Sequence, residues 1–366
     1  MDFHGKTHLK PIDFGDFKVP VPIFQGGMGI GISMSSLAAA VAACGGVGVI
    51  SSAQIGFREP DFRSNTVEAN IRALKNEIKT ALKSISEIRI KGAIGVNIMC
   101  ASNNYAEYVK ASVEAGAQLI ISGAGLPTNL PGLCTDRKVK LVPIVSSARA
   151  AKLMIKAWMK RYSRFPDAIV FEGPDAGGHL GFKQKDLKSE SEKFYDTIGD
   201  IKNEIVTALE SVSQECVPYG RCPLIAAGGI FSSTDVRKAI ASGADGVQLG
   251  TRFVTTYECD APESFKRKYL ECNKDDIVII QSPVGMPGRA IKNKFVELSG
   301  EGKLPVKECN HCLTACNPHT APYCITKALI DSAKGDSENG LVFCGSNAYR
   351  TKKMMSVKEL MRELSE

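Results

Sequence analysis

The stretch ASGADGVQLGTRF, residues 241–253, decides the architecture: small residues, a glycine, a short run that is apolar but for Gln248, and a second glycine follow one another. Gly243 is placed to cap a helix in a left-handed conformation and let the chain reverse into a strand. The same order returns in EAGAQLIISGAG (114–125) and ACGGVGVISS (43–52). A continuous apolar run has both faces covered, as a parallel strand flanked by helices does, whereas a sheet with one wet face alternates. On this pattern the candidate strands are Pro22–Gln25, Val47–Ser51, Ala93–Ile98, Leu119–Ser122, Lys140–Val145, Ala168–Phe171, Pro223–Ala227 and Gly246–Leu249. Helical periodicity fills Ser35–Cys44, Thr66–Leu82, Tyr105–Ala115, Ala148–Arg161, Lys202–Gln214 and Ser233–Ala241. Eight such units in about 250 residues predict an α/β fold, a (β/α)8 TIM barrel over residues 1–300. A Cys-rich C-terminal extension with a terminal helix occupies 301–366. An open doubly wound sheet is the alternative.

Composition narrows the function. Apolar residues at 44% with 23% charged suit a globular enzyme, and the net charge of +7 is scattered, with no basic block to bind nucleic acid. The N-terminal segment lacks a signal-peptide core, and Met34–Ile50 is too short and glycine-broken for a membrane span. A cytoplasmic protein is expected, its twelve cysteines reduced thiols or metal ligands.

In a barrel, chemistry sits on the loops after the strands. Two glycine clusters there, in PLIAAGGIFSSTDVRKAI (223–240) and GVQLGTRF (246–253), follow the last two strands. Gly228, Gly229, Gly250 and Thr251 form a phosphate cradle of backbone N–H groups. With no Rossmann fingerprint and no P-loop lysine, flavin mononucleotide fits better than a dinucleotide. In PIFQGGMGIG (22–31), Gly26, Gly27 and Met28 let the backbone approach a planar ring, although a bare turn with a core methionine reads equally well. Asn97 in GVNIM (95–99) and Glu172 interrupt apolar runs at the mouth, where a polar ligand would satisfy them, and Gln248 closes the last strand.

FEGPDAGGHLGF (171–182) sets His179 among four glycines, including Gly177, after the sixth strand. An imidazole of ordinary pKa about 6.5 suits proton transfer, so His179 is the catalytic candidate. His4 and His8 lie in a polar tail without such context.

Taken in order, PIFQGGMG, GVNIM, SGAG, EGPDAGGHLG, PLIAAGGI and VQLGTRF resemble the nitronate monooxygenase (2-nitropropane dioxygenase) family of FMN-dependent barrels, whose near relatives are flavin-dependent enoyl-ACP reductases. The resemblance implies FMN, contacted at Asn97, Glu172, Gly229 and Gly250–Thr251. It also implies a histidine base at His179, acting on an alkyl nitronate that O2 converts to carbonyl and nitrite. Glu172, where monooxygenases usually carry Gln, leans towards an NAD(P)H-dependent enoyl-ACP reductase; the cysteine-rich extension leans away from it. A non-enzymatic flavin or redox sensor and a phosphate-sugar isomerase are further alternatives.

ECNHCLTACNPHTAPYC (308–324) spaces Cys309, Cys312, Cys316 and Cys324 as C-x2-C-x3-C-x7-C. In a reducing compartment such density suggests a metal site. The spacing resembles the [4Fe–4S] element of flavin-dependent dienoyl-CoA reductases, while His311 and His319 keep zinc open and Cys344 is a spare ligand. The segment Lys183–Gly199 reads as a lid or a disordered insertion. In SVKELMRELSE (356–366), Val357, Leu360, Met361 and Leu364 share one helical face that would pack on the barrel or on a second subunit, giving a homodimer.

Overall fold

The computed structural model describes residues 9–366 except 284, 303 and 308, so the tail with His4 and His8 lies outside the described residues. After a short hairpin of β1 (Ile12–Asp13) and β2 (Lys18–Val19) come seven strands. They are β3 (Ile23–Gln25), β4 (Val47–Ser51), β5 (Ala93–Met99), β6 (Leu119–Gly123), β7 (Lys140–Val145), β8 (Ile169–Glu172) and the two-residue β9 (Gly178–His179). They are followed by β10 (Leu224–Ala227), β11 (Gly246–Leu249), β12 (Ile277–Gln281) and β13 (Pro287–Ile291). The eight strands read from the sequence close into one barrel in the order β10-β11-β3-β4-β5-β6-β7-β8, every neighbouring pair parallel. This is a (β/α)8 TIM barrel.

Register carries function. Ser51 stands opposite Asn97, Ala227 opposite both Glu172 and Gln248, and Leu249 opposite Gln25. The polar residues that interrupt the apolar runs therefore gather at one rim of the barrel. The barrel interior is filled by Phe24, Val49, Leu119, Ile121, Val170 and Ile225, and Phe14 and Val19 of the hairpin plug the other end. At the start of β7, Lys140 is wholly buried; its ammonium donates to Asp16 at 2.5 Å and to the Tyr219 hydroxyl at 2.7 Å.

Three sequence expectations change. The helix expected at Lys202–Gln214 runs over Phe194–Glu210, because its buried stripe already begins with Phe194 and Ile198 and continues through Ile201 and Ile205. The segment 183–199 is accordingly helical, not a loop: Gln184–Asp186 is a 3-10 turn, Leu187–Glu192 a short α-helix, and the charges lie on its solvent side. Thirdly, β9, β12 and β13 form an antiparallel ribbon beside the barrel mouth, a feature that a search for βα units passes over.

The terminal helix, Val357–Ser365, packs on the barrel's helical shell against Ser35–Ala43 and Ser233–Ala241. All four apolar residues read from its sequence are buried. Ser356 and Glu359 close its start in a reciprocal capping box. Arg252 ties it down with a two-pronged bond to Glu363, at 2.9 and 3.0 Å. Leu360→Ala should destabilise the whole domain by about 2–5 kcal/mol, read as a single lowered thermal transition. A separate low-temperature transition confined to the helix would contradict this packing. Among the described residues no helix is long and apolar enough to cross a membrane.

Candidate active site

The rim residues surround a cavity of about 500 Å³, within the usual size range of small-molecule sites. Gly26, Gly27, Met28, Asn97, Glu172, Gly177, His179, Gly228, Gly229, Gln248, Gly250 and Thr251 all line it. Sequence candidates spread over more than two hundred positions are thus brought together.

The glycines are required by crowding. A Cβ on Gly27 would stand 2.3 Å from that of Asn97. Gly228 and Gly229 both have left-handed φ, +92° and +90°, and a Cβ on Gly228 would meet the Gly173 carbonyl oxygen at 2.7 Å. This turn leaves donors facing the cavity. The N–H groups of Gly229, Gly250 and Thr251 donate to no atom of the described residues. Among the described residues no lysine or arginine lines the cavity, so an anion there would be held by backbone dipoles.

Three polar side chains face the same space. The Asn97 amide makes one long bond, Nδ2 to the Ile121 carbonyl at 3.4 Å, and its oxygen has no donor among the described residues. Neither Gln248 nor Glu172 forms a side-chain hydrogen bond with a described residue. Burial alone raises the Glu172 carboxyl from 4.5 to about 7. A carboxyl without a partner resists ionisation, so the neutral form is favoured in the fold. The sign follows: the contribution of Glu172 to stability is greatest below 4.5 and is lost as pH rises towards about 7, whereas that of His179, lowered by burial to about 4, runs the other way. Thermal melts across that window should show the Tm of Glu172→Gln rising relative to wild type as pH climbs from 4.5 to about 7. Parallel profiles would contradict the burial argument.

His179 sits on β9, held opposite Gly288 by β13. Its Nε2 is 2.6 Å from the Ser282 hydroxyl, and its ring meets Phe343 edge-on at 5.3 Å. Burial lowers its pKa to about 4, which corrects the sequence expectation of an ordinary imidazole. At neutral pH the ring is neutral. The other nitrogen, Nδ1, has no partner among the described residues.

Several residues of this site were not anticipated. Ser282, Phe343 and the turn Gly345–Asn347 come from the C-terminal third. Asn347 Nδ2 donates to the Gly229 carbonyl at 2.7 Å, the Gly345 N–H to the Thr251 hydroxyl at 3.1 Å, and the Ser346 N–H to the Asp175 carbonyl at 3.1 Å. The polar SNAYR after the apolar LVFCG was the available signal.

The metal expectation for Cys309, Cys312, Cys316 and Cys324, whether a [4Fe–4S] cluster or zinc, is corrected. Among the described residues no group of three or more His, Cys, Asp or Glu side chains is arranged to hold a metal. Cys309 is exposed, and its sulfur accepts from the His311 N–H at 3.4 Å. Cys312 lines the cavity and takes a bond from the Thr326 hydroxyl at 3.1 Å, while Cys324 caps helix Ile325–Ala333 by accepting from the Lys327 N–H at 3.5 Å. Cys344 is buried at the wall of the same cavity, with its thiol pushed well up by burial. The four cysteines do come near one another, since the Cys316 and Cys324 thiols bear on Cys312, and Cys309 and Cys324 on Cys316, but they are not arranged as a metal site.

Residues 12–366 match the family model described as nitronate monooxygenase. The chain belongs to the nitronate monooxygenase family. Within the family it is similar to a probable nitronate monooxygenase of Staphylococcus aureus (strain Newman), 29% identical over 227 residues, covering 61% of this chain and 58% of that protein. It is also similar to (3aS,4S,5R,7aS)-5-hydroxy-7a-methyl-1-oxo-octahydro-1H-indene-4-carboxyl-CoA dehydrogenase of Mycobacterium tuberculosis (strain ATCC 25618 / H37Rv). That match is 25% identical over 276 residues, 75% of this chain and 64% of that protein. The matches therefore span about three fifths of the length of these relatives. Among solved structures, FabK from Thermotoga maritima superposes with a TM-score of 0.70 at 25% identity, over 94% of this chain and 92% of that one. Nitroalkane oxidase from Streptomyces ansochromogenes shares the fold, with a TM-score of 0.69 at 18% identity over 95% of each chain.

Proposed function

We propose that this family member is an FMN-dependent oxidoreductase that reduces the Cα–Cβ double bond of an enoyl thioester with electrons from NAD(P)H. One observation carries the choice of substrate. Among the described residues the cavity lining holds two carboxyl residues, Glu172 and Asp175, and no lysine or arginine. Beyond the glycine rim its wall is apolar, with Met286, Leu313, Ile325, Leu329, Leu341 and Phe343 supplied by the last third of the chain. A neutral, partly aliphatic substrate suits such a lining better than a small anion does. The dehydrogenase of Mycobacterium tuberculosis is named for a CoA thioester, and FabK is an enoyl-ACP reductase.

The cofactor fits the residues present. The free N–H groups of Gly229, Gly250 and Thr251 would hold the FMN phosphate, Gly26–Met28 would lie against the ring, and Asn97, Glu172 and Gln248 would meet its polar edges. Bound there, FMN supplies two-electron redox chemistry, and the chain supplies position and protons. Saturating the double bond requires a proton at Cα. His179 lines the cavity, and burial keeps its ring neutral; negative charge developing on the substrate would raise the basicity of the imidazole, so that it takes up a proton from solvent and passes it to Cα. Ser282 on Nε2 fixes the ring so that Nδ1 is the nitrogen left for the substrate.

A second reading is oxidation of an alkyl nitronate with O2 to carbonyl and nitrite. The neutral imidazole of His179, with a lone nitrogen unpaired among the described residues, favours it, as does the likeness to the staphylococcal protein. Twelve unpaired cysteines suit a cytoplasmic setting for either chemistry. In both, residues 1–300 would act as the barrel and 301–366 as the extension that completes its mouth. Purified FMN-loaded protein should oxidise NAD(P)H in a crotonyl-CoA-dependent manner without oxygen, and release little nitrite from propyl-2-nitronate in air. Nitrite release with no thioester-dependent turnover would transfer the assignment to the second reading.

A further inference from the structure

Just beyond β4, Gln54 adopts a left-handed backbone, φ +47°, which side-chain-bearing residues seldom take. It is 8% exposed, and it lines the cavity. Such a conformation at a cavity wall invites a functional reason.

The orientation of its amide follows from a chain of bonds that begins at a group with no ambiguity. The Gly56 backbone N–H can only donate, and it donates to the Asn70 side chain at 2.8 Å. The receiving atom of Asn70 is therefore its oxygen, and its nitrogen is the donor to the Tyr108 hydroxyl and to Gln54, each at 3.0 Å. Asn70 is fully buried, so a flipped amide would oppose donor to donor without water to relieve it. It follows that Gln54 uses its oxygen inward. Its NH2 has no acceptor among the described residues and stands at the cavity wall. Gly29, in the loop after β3 that would carry the ring, is directly beside this turn: a Cβ there would lie 2.8 Å from that of Ala53.

We propose that Gln54 is a substrate-binding residue whose Nε2–H donates to the substrate's acceptor oxygen, the thioester carbonyl. This rests on the enoyl-thioester reading above and deepens it. A hydrogen bond to that carbonyl draws electron density from the conjugated alkene and holds the acyl group in register with the ring. The site selects for an acceptor: a ligand presenting a donor or a methylene at this point leaves the NH2 unmet.

The test compares crotonyl-CoA with its thioether analogue S-but-2-enyl-CoA, which lacks the carbonyl. Binding to the FMN-loaded protein is followed by the perturbation of the flavin absorbance. Wild type should bind the thioester about tenfold more tightly or better, as one hydrogen bond implies. Gln54→Leu should bind the two alike, with FMN content unchanged. Gln54→Glu keeps an oxygen for Asn70 and is the variant to use if the leucine protein fails to fold; it too should lose the preference. A preference retained in either folded variant overturns the proposal while leaving the reductase reading intact. If wild type neither binds nor reduces crotonyl-CoA, the reductase reading falls. The KM for propyl-2-nitronate then decides the site: a rise of about tenfold in Gln54→Leu or Gln54→Glu supports an acceptor-oxygen site, and an unchanged KM overturns it.

Discussion

His179→Ala lowers kcat about 10²- to 10³-fold and leaves FMN bound, measured as turnover per flavin in protein with a wild-type absorption spectrum. The magnitude follows from the role: removing a positioned proton donor costs that much, while the flavin contacts, apart from Glu172 at the end of β8, lie on other loops. The imidazole is held by β13 through the backbone of β9 and by Ser282 through Nε2, so its loss leaves the barrel intact. The pH profile separates this account from an ordinary histidine. With His179 near 4, no limb of kcat/KM should appear at the usual histidine value. A limb near 7 belongs to Glu172 and should vanish in Glu172→Gln. If that limb instead persists in Glu172→Gln and disappears in His179→Ala, the assignment of the two titrations is reversed.

Gly228→Ala is expected to abolish stable FMN binding, raising the Kd about 100-fold or more as a substituted loop displaces several backbone donors together. Two effects combine. The residue has φ +92°, and the added methyl would lie 2.7 Å from the Gly173 carbonyl oxygen. The turn must shift, and with it the Gly229 N–H and the carbonyl that Asn347 holds at 2.7 Å. Gly300→Ala, where a Cβ meets nothing within 4 Å, is the matched control and should bind FMN normally. The comparison is read by flavin retained after gel filtration, with circular dichroism confirming the fold. Full flavin retention in Gly228→Ala would remove this loop from the cofactor site.

Much of this was legible in the sequence, for particular physical reasons. Buried parallel strands are predominantly apolar, so β4, β7 and β11 were read to their observed ends from their apolar runs and the turn residues that bound them. Polar residues that interrupt such runs, Asn97 and Glu172, had to face a ligand space or remain unsatisfied, and both line the cavity. Long-range pairing was not legible. The ribbon of β12 and β13 carries no βα signature, and nothing local in Ser282 marks it as the partner of His179, 103 positions away. The direction of the His179 titration was hidden for the same reason: it depends on burial by Phe343 and the ribbon, not on its glycine-rich neighbours. The cysteine spacing misled because thiols that come near one another need not be arranged to hold a metal. Cys324 serves as a helix cap and Cys312 as cavity wall, roles that fix the spacing without a shared ligand. Gln54 was invisible because its meaning lies in a left-handed φ and in the bonds of Asn70 and Tyr108.

The central claim is that one cavity holds a flavin and an enoyl thioester together, and the two half-reactions of the purified protein, followed anaerobically by absorbance, test it most directly. The account predicts flavin bands that bleach on adding NAD(P)H and return on adding crotonyl-CoA, in one-to-one proportion to bound FMN. Protein that carries no flavin, or reduced flavin that crotonyl-CoA leaves bleached, would contradict it.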